Sequence, residues 1–387
     1  MPSDIALINE CMTGAGVIPH PRRSLSAIPG RMLDELDRAA RGIVVLAVDG
    51  LSWRTARDAW RDAALEPLTS TFPSTSTTAW TTAVTGVPLT GHLVAGAACR
   101  SPADDALVDL VHGTVLAGPH DASEPVTPGR PASPDVLVRH PTVFETAAPR
   151  ARAAVLAREV GTLGGPWANA LLQGAERIPG PGPRALAADA ADPVRMAEAV
   201  AGDVEAALTA HRADVPLLLW TYVNLDEHVH RHGYDARARR AVEELERHAR
   251  SWARRGWTVL AHADHGQTPC APDPELEAAW ARVDAPELCR MPAGGAGRVR
   301  WLYPREGRAG EVRERLAAAL DGHALVVPVD DLPGLGLTGL TPALRERIGG
   351  VVALATSPRF PLPVAGVAWE HGALSPDEML VPLAVWR

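Results

Sequence analysis

The chain has 387 residues, 46% of them apolar, and a formal net charge of −8 with no lysine at all. That length holds one large domain or two ordinary ones. No apolar run approaches the ~18 residues of a membrane span, and no basic stripe with interleaved aromatics offers a nucleic-acid surface.

Residues 1–41 read as an N-terminal extension. Its start, MPSDIALINECMTGAG, lacks a charged head followed by an apolar core. No signal peptide is expected, and the cytoplasm is the default location. Gly42–Val48 (GIVVLAV) is short, continuous and rich in Val, the pattern of a strand covered on both faces. It ends in Asp49–Gly50. The stretch STFPSTSTTAWTTAVTG follows, from Ser70 to Gly86, with ten hydroxyls in seventeen residues. Two Pro/Gly-rich stretches, Gly118–Asp135 and Ile178–Asp192, read as surface loops of an inserted region. Pro193–Arg212 has a helical pattern. Val215–Tyr222 (VPLLLWTY) is a second buried strand and leads into NLDEHVHRHG. Tyr234–Arg255 is again helical and stops at Gly256. Trp257–Ala261 (WTVLA) is a third strand, running on to Asp264–His265–Gly266. Pro269 to Pro361 is irregular and includes MPAGGAGRVRWLYP, a strand after a glycine-rich turn. Val364–Trp369 (VAGVAW) reads as a fourth strand, ahead of Glu370–His371–Gly372.

Alternating strands and helices predict an α/β fold. The expected core, residues 42–387, is a doubly wound, mostly parallel central sheet flanked by helices, with an inserted cap from about 95–190 and 269–361. Cys11, Cys99, Cys270 and Cys289 are scattered and form no C-x-x-C pair, which speaks against a disulfide framework or a thiolate zinc site.

Each predicted strand is followed by acids or histidines. In open α/β sheets, ligands bind beyond the carboxyl ends of the strands, so this topology would deliver Asp49, Asp226, Asp264, His265 and His371 to one edge. Asp226 and His230 stand four apart, on one face of a helical turn. Carboxylates and imidazoles are zinc ligands. Two metals about 3.5–4 Å apart would clamp the attacking and leaving oxygens of a displacement at phosphorus. Such a pair needs roughly six protein ligands, and Asp49, Asp226, His230, Asp264, His265 and His371 supply that number. Singly, each piece has a plain structural reading: an Asp–Gly turn, a capping Asp beside a satisfied histidine, a solvated polar loop. It is the ordered set that points to chemistry.

The set resembles the alkaline phosphatase superfamily, and within it the type I phosphodiesterase/nucleotide pyrophosphatase branch. The matching pieces are VVLAVDG at Asp49, TFPST…VTG, D-x-x-x-H-x-x-G at Asp226–His230–Gly233, ADHG at Asp264–His265, and HGALSPDEMLVPL from His371. The resemblance implies two divalent ions, most simply Zn2+. One would be held by Asp226, His230 and His371. The other would be held by Asp49, Asp264, His265 and a nucleophilic hydroxyl. It also implies a Ser or Thr phospho-enzyme that water then hydrolyses. The nucleophile of this branch stands ten residues before the glycine of the T-G dipeptide. Counting back from Gly86 gives Ser76, with Thr75 as the neighbouring alternative. Many members carry an Asn three residues after the nucleophile, where this chain has Ala79. His92 reads as structural.

The implied function is two-metal hydrolysis of phosphate diesters or nucleotide pyrophosphates. A phosphomonoesterase or phosphonate hydrolase on the same scaffold is the alternative. A non-catalytic metal-containing binding protein is the alternative of another class. The expected partner is a small phosphate-containing substrate, with no nucleic-acid polymer and no membrane. Arg100, Arg298 and Arg300 are candidates for a cap cation that would favour monoesters.

Overall fold

The computed structural model describes residues 2–122, 126–212, 214–364 and 366–387. At its centre is a seven-stranded sheet in the order Ala64–Thr69, Leu380–Trp386, Thr258–Ala263, Gly42–Asp49, Leu217–Asn224, Arg152–Leu156, Glu176–Arg177. The five strands from Thr258–Ala263 to Glu176–Arg177 pair in parallel. Leu380–Trp386 runs antiparallel to both its neighbours. The fold is therefore mixed α/β around a large central sheet. All eight positions of Gly42–Asp49 are buried, as the continuous apolar run predicts for a strand covered on both faces.

The helices fall into two groups. Pro193–Ala210, Ala236–Arg254 and Trp53–Ala59 pack together and on the sheet. Ile28–Arg38, Ser76–Thr85 and Val143–Ala147 form the other group. Trp220 on the central strand meets Trp80 and Phe144 of this second group edge-on, at 6.0 and 6.2 Å. Such aromatic pairs add to the apolar burial that holds the layers together. The N-terminal residues Leu7, Cys11, Met32 and Leu36 are buried in the same core. None of the described helices is long and apolar enough to cross a membrane.

A second seven-stranded sheet takes Ala98–Ser101, Ala106–Asp109 and Thr114–Ala117 from one part of the chain and Cys289–Ala296, Val299–Pro304, Ala324–Pro328 and Val351–Ala355 from another. Its two halves join where Gly295 pairs with Ala98. The glycine-rich piece of MPAGGAGRVRWLYP is thus a strand in its own right, turning at Gly297–Arg298 into Val299–Pro304.

Two further expectations differ from the structure. Of the run Val364–Trp369, Ala365 lies outside the described residues; among the described ones Val364 is 55% exposed and pairing is confined to Trp369–Glu370 against Thr268–Pro269, so the expected sheet strand is not formed by them. An apolar run alone does not tell a core strand from a cavity wall. Ile178–Asp192 is not all loop, since it holds the helix Pro183–Ala190.

His92 is a buried structural histidine. Its Nδ1 accepts the Val94 N–H at 3.0 Å, so Nε2 carries the proton and meets Thr82 Oγ1 at 3.0 Å. Burial, with His140 adding, pushes its pKa down to about 3. The unfolded chain therefore binds the proton first on acidification, near pH ~6.5. The stability this group contributes is present above that pH and is lost as pH falls toward its folded value. Between pH 6.5 and pH 5 the loss is about 2 kcal/mol. Urea midpoints at these two pH values should converge in His92→Asn relative to wild type; an unchanged pH slope would contradict the assignment.

Candidate active site

Three parallel strands end at one place. Asp49 is the last residue of its strand. Asp264 and His265 follow the strand Thr258–Ala263 directly. Asp226 opens the helix Asp226–His232 just beyond Asn224, and that helix puts His230 beside it, with Asp226 Oδ2 3.0 Å from His230 Nε2. Gly50 makes the convergence possible. Its φ is +74°, and a Cβ there would lie 2.7 Å from Asp226 Oδ1. His371 arrives differently, from a loop tied to Ser74 through backbone and side-chain hydrogen bonds.

The histidines are oriented alike. His230 Nδ1 faces the Trp369 carbonyl at 2.8 Å, His371 Nδ1 the Ser74 carbonyl at 2.9 Å, and His265 Nδ1 the Gly266 carbonyl at 3.2 Å. A carbonyl only accepts, so in each ring Nδ1 donates; this leaves His265 and His371 with the Nε2 lone pair, while His230 Nε2 donates to Asp226 Oδ2 until a cation takes its place. That is how metal-binding imidazoles are set by their outer partners. The rings of His265 and His371 stack at 3.7 Å.

Three donor sets form here, each with its ligand atoms within 4.8 Å of one another: Asp49–Asp264–His265, Asp226–His265–His371 and His230–Glu370–His371. All six acids and histidines expected from the sequence are thus brought together. A fourth set, Glu198–Glu244–His248, lies on the outer helices, where Arg247 already pairs both acids.

Electrostatics indicate what the donors lack. Asp49, Asp226 and Asp264 are buried near one another, and among the described residues no arginine reaches ion-pair distance of any of them. Burial, then Asp226, pushes the Asp49 carboxyl up to about 6. Burial, then Asp49 and Asp226, pushes Asp264 well above the carboxylate range. Asp226 moves the other way: burial raises it, but the charge and hydrogen bond of His230 outweigh that, and His230 is raised to about 10 in return. Asp264 Oδ1 accepts the Gly50 N–H at 3.1 Å, while Oδ2 is buried without a hydrogen bond. Clustered carboxylates, free imidazole Nε2 atoms and an orphaned carboxylate oxygen are a donor set that fits divalent cations.

The hydroxyl-rich stretch resolves into separate jobs. Thr77 donates to the Gly96 carbonyl, Thr78 to Val94, Thr81 to Thr77 and Thr85 to Thr81. Thr82 meets His92, and Ser70, Thr71 and Ser74 donate to the Asp264, Pro73 and Ala373 carbonyls. Ser76 is the hydroxyl that faces the acids. It is the first residue of the helix Ser76–Thr85, with Oγ 3.1 Å from His265 Nε2 and 3.4 Å from Asp49 Oδ1. Thr75 is the extended residue just before that helix and lines the adjoining cavity instead. Ala79 is fully buried and offers no polar group. With Thr77 and Thr78 committed to carbonyls, the polar groups left near Ser76 are N–H groups of the helix's first turn.

Several contributors carry no clear sequence signal. Tyr222 and Trp80 donate to Asp49 Oδ2, the latter at 3.2 Å. Glu370 is 4% exposed, with Oε1 3.4 Å from His371 Nε2. It fits because Gly297 has no side chain: a Cβ there would lie 2.6 Å from Glu370 Oε1. A cavity of about 620 Å³ opens beside Thr75, His230, Glu370 and His371 and extends under the second sheet. Of the three arginine candidates, Arg100 pairs with Asp105 at 2.7 Å and Arg298 with Glu378 at 3.1 Å, while Arg300 lines the cavity.

The family match and the fold together place the chain in the alkaline phosphatase superfamily. Residues 43–360 match the family described as "Type I phosphodiesterase / nucleotide pyrophosphatase". The chain belongs to that family and is by membership a phosphoric ester hydrolase. No curated protein matches it in sequence. Its fold is similar to murine ectonucleotide pyrophosphatase/phosphodiesterase 5, at 14% identity and a TM-score of 0.58, over 89% of this chain and 88% of that one. It is also similar to phosphonoacetate hydrolase from Sinorhizobium meliloti 1021, solved with phosphonoformate, at 18% identity and 0.60 over 90% of each chain. The alkaline phosphatase PafA aligns at 11% identity and 0.55 over 89% of this chain and 91% of that one.

Proposed function

We propose that the chain hydrolyses phosphate diesters or nucleotide pyrophosphates through a phosphorylated Ser76. The observation that carries this reading is the position of the Ser76 hydroxyl, at a helix N-terminus and against His265 and Asp49. We assign two divalent ions, most simply zinc, to the surrounding donors: Asp226, His230 and His371 for one, Asp49, Asp264 and His265 for the other. When bound, such ions supply Lewis-acid activation of hydroxyl groups and neutralise phosphoryl charge.

The chain's own residues do the rest. Ser76 Oγ forms a bond to phosphorus and gives its proton to solvent as the P–O bond to the leaving group breaks, and the departing oxygen takes a proton back from water. Water then attacks the phosphoserine and forms the new O–P bond as the Ser76 O–P bond breaks; one of its protons returns through solvent to Ser76 Oγ, and the phosphoryl product is released. First-turn N–H groups are available to the phosphoryl oxygens. Asp49 is held in place by Tyr222 and Trp80. The second sheet is read as a cap that shelters this chemistry from bulk water, on a doubly wound core.

The charge at the reacting end favours a monoanionic diester over a dianionic monoester. Four acids, Asp49, Asp226, Asp264 and Glu370, stand there without an arginine in ion-pair range among the described residues. The test is a panel of matched aryl monoesters, aryl diesters and nucleotide pyrophosphates on metal-replete enzyme. The diester or pyrophosphate should exceed the monoester in kcat/KM by ~10-fold or more. The reverse order would move the assignment to a phosphomonoesterase. No turnover of any substrate at full metal loading would leave a binding protein.

A further inference from the structure

The cavity beside the candidate site has two polar ends and an apolar middle. Its floor is the glycine-rich strand around Gly294–Gly297. At the Gly297 end stand Glu370 and His371. At the Gly294 end stands the guanidinium of Arg300, with Nε 3.3 Å from the Gly294 carbonyl. Three residues of strand separate these ends, roughly 10 Å at ~3.3 Å per residue. Between them lie Ala98, Leu107 and Val367. At the cavity's edge Leu116 and Val364 expose 41% and 55% of their surface.

Arg300 is 9% exposed. Its plane is fixed: Nε and Nη1 meet the Gly294 and Pro361 carbonyls, and the guanidinium lies over the Trp280 ring at 4.8 Å. Among the described residues Nη2 makes no hydrogen bond, and no carboxylate lies within ion-pair distance of the group. Asp284, the nearby acid, accepts the Trp280 and Ala293 N–H groups through Oδ2, and its buried Oδ1 acts on Arg300 by charge without a hydrogen bond. The other charges of the cavity wall are answered locally, Asp109 by His112 and Glu227 by Arg231. The Nη2 edge keeps accessible surface, so an incoming anion can meet it with charge-assisted hydrogen bonds.

We propose that Arg300 binds an anionic terminus on the part of the substrate that does not react. The substrate class is then a phosphodiester with one apolar arm, about 10 Å long by the strand spacing, ending in a carboxylate or phosphate. This rests on the reading above that the acid–histidine centre acts on phosphoryl groups.

The test uses two aryl phosphodiesters that differ only in a terminal carboxylate against its methyl ester, on metal-loaded wild type, Arg300→Lys and Arg300→Met. Wild type should prefer the acid in kcat/KM by ~10-fold or more, the size of one charge-assisted hydrogen bond. Arg300→Met should bring the ratio near one, and Arg300→Lys should keep part of it. A purely structural Arg300 would lower both substrates alike and leave the ratio unchanged, which overturns the proposal. Equal kcat/KM for the two in wild type also overturns it, while diester hydrolysis stands. If neither is turned over, the diester reading fails and calorimetry with a non-hydrolysable phosphonate acid/ester pair decides the anion site. Tighter binding of the acid that disappears in Arg300→Met sustains it; equal binding does not.

Discussion

Replacing Ser76 by alanine is expected to lower turnover of the best diester by ~10⁴-fold or more while metal content stays at the wild-type level. The size follows from losing the group that forms the covalent bond. Alanine suits the first turn of a helix, so the fold should persist. What remains is whatever charge stabilisation the site still offers to direct attack by water. Ser76→Thr keeps a hydroxyl and should recover part of the rate. Thr75→Ala is the necessary partner, because one residue of slip would exchange the two. It should retain most activity, since Thr75 lines the cavity and Ser76 meets His265 and Asp49. Acid-quenched wild type should carry phosphate on the peptide containing Ser76. Label on Thr75, or full activity in Ser76→Ala, would reassign the nucleophile.

Much of this centre was legible because its parts are local. Asp49, Asp226 and Asp264–His265 each sit within two residues of the end of a buried parallel strand. An apolar run followed by a polar ligand is a pattern that short windows reveal. Asp226 and His230 needed only helical spacing. His371 was legible as a motif residue, but its carrier was misread. VAGVAW is as apolar as a core strand, yet its Val364, Gly366 and Val367 line the cavity and do not pair in a sheet. The strand that does complete the sheet, Leu380–Trp386, contains Pro382, which breaks the strand signal. The role of Glu370 was beyond sequence patterning, and Arg300 could be named as a candidate cation but not placed, for a different reason. Their surroundings are made by Gly297, Gly294 and Pro361, and closure of the second sheet brings Ala98 onto Gly295 across just over half the chain. The hydroxyl-rich stretch shows the same divide. Spacing singled out one serine, whereas the roles of its neighbours depend on carbonyls such as those of Gly96 and Val94.

Asp264→Asn should separate the two consequences of burying acids together. Asp264 is fully buried; one carboxylate oxygen accepts the Gly50 N–H and the other has no hydrogen bond. Asparagine keeps the shape and the acceptor but removes a negative charge from beside Asp49 and Asp226. In the presence of metal the loss is severe. The set with Asp49 and His265 loses an anionic ligand, so bound metal should fall below the wild-type stoichiometry. Turnover should drop by on the order of 10³-fold, equivalent to about 4 kcal/mol of transition-state stabilisation. Under strong chelation the order of stabilities should reverse. Wild type must then keep the Asp264 carboxyl where burial, Asp49 and Asp226 hold it well above the carboxylate range, a cost of burying an ionisable acid that the variant does not bear. The variant should melt above wild type in chelator and below it in excess zinc. A variant that melts below wild type in both conditions would mean that Asp264 serves the local fold and not a cation site. A variant that keeps full metal and near wild-type turnover would remove Asp264 from the centre altogether.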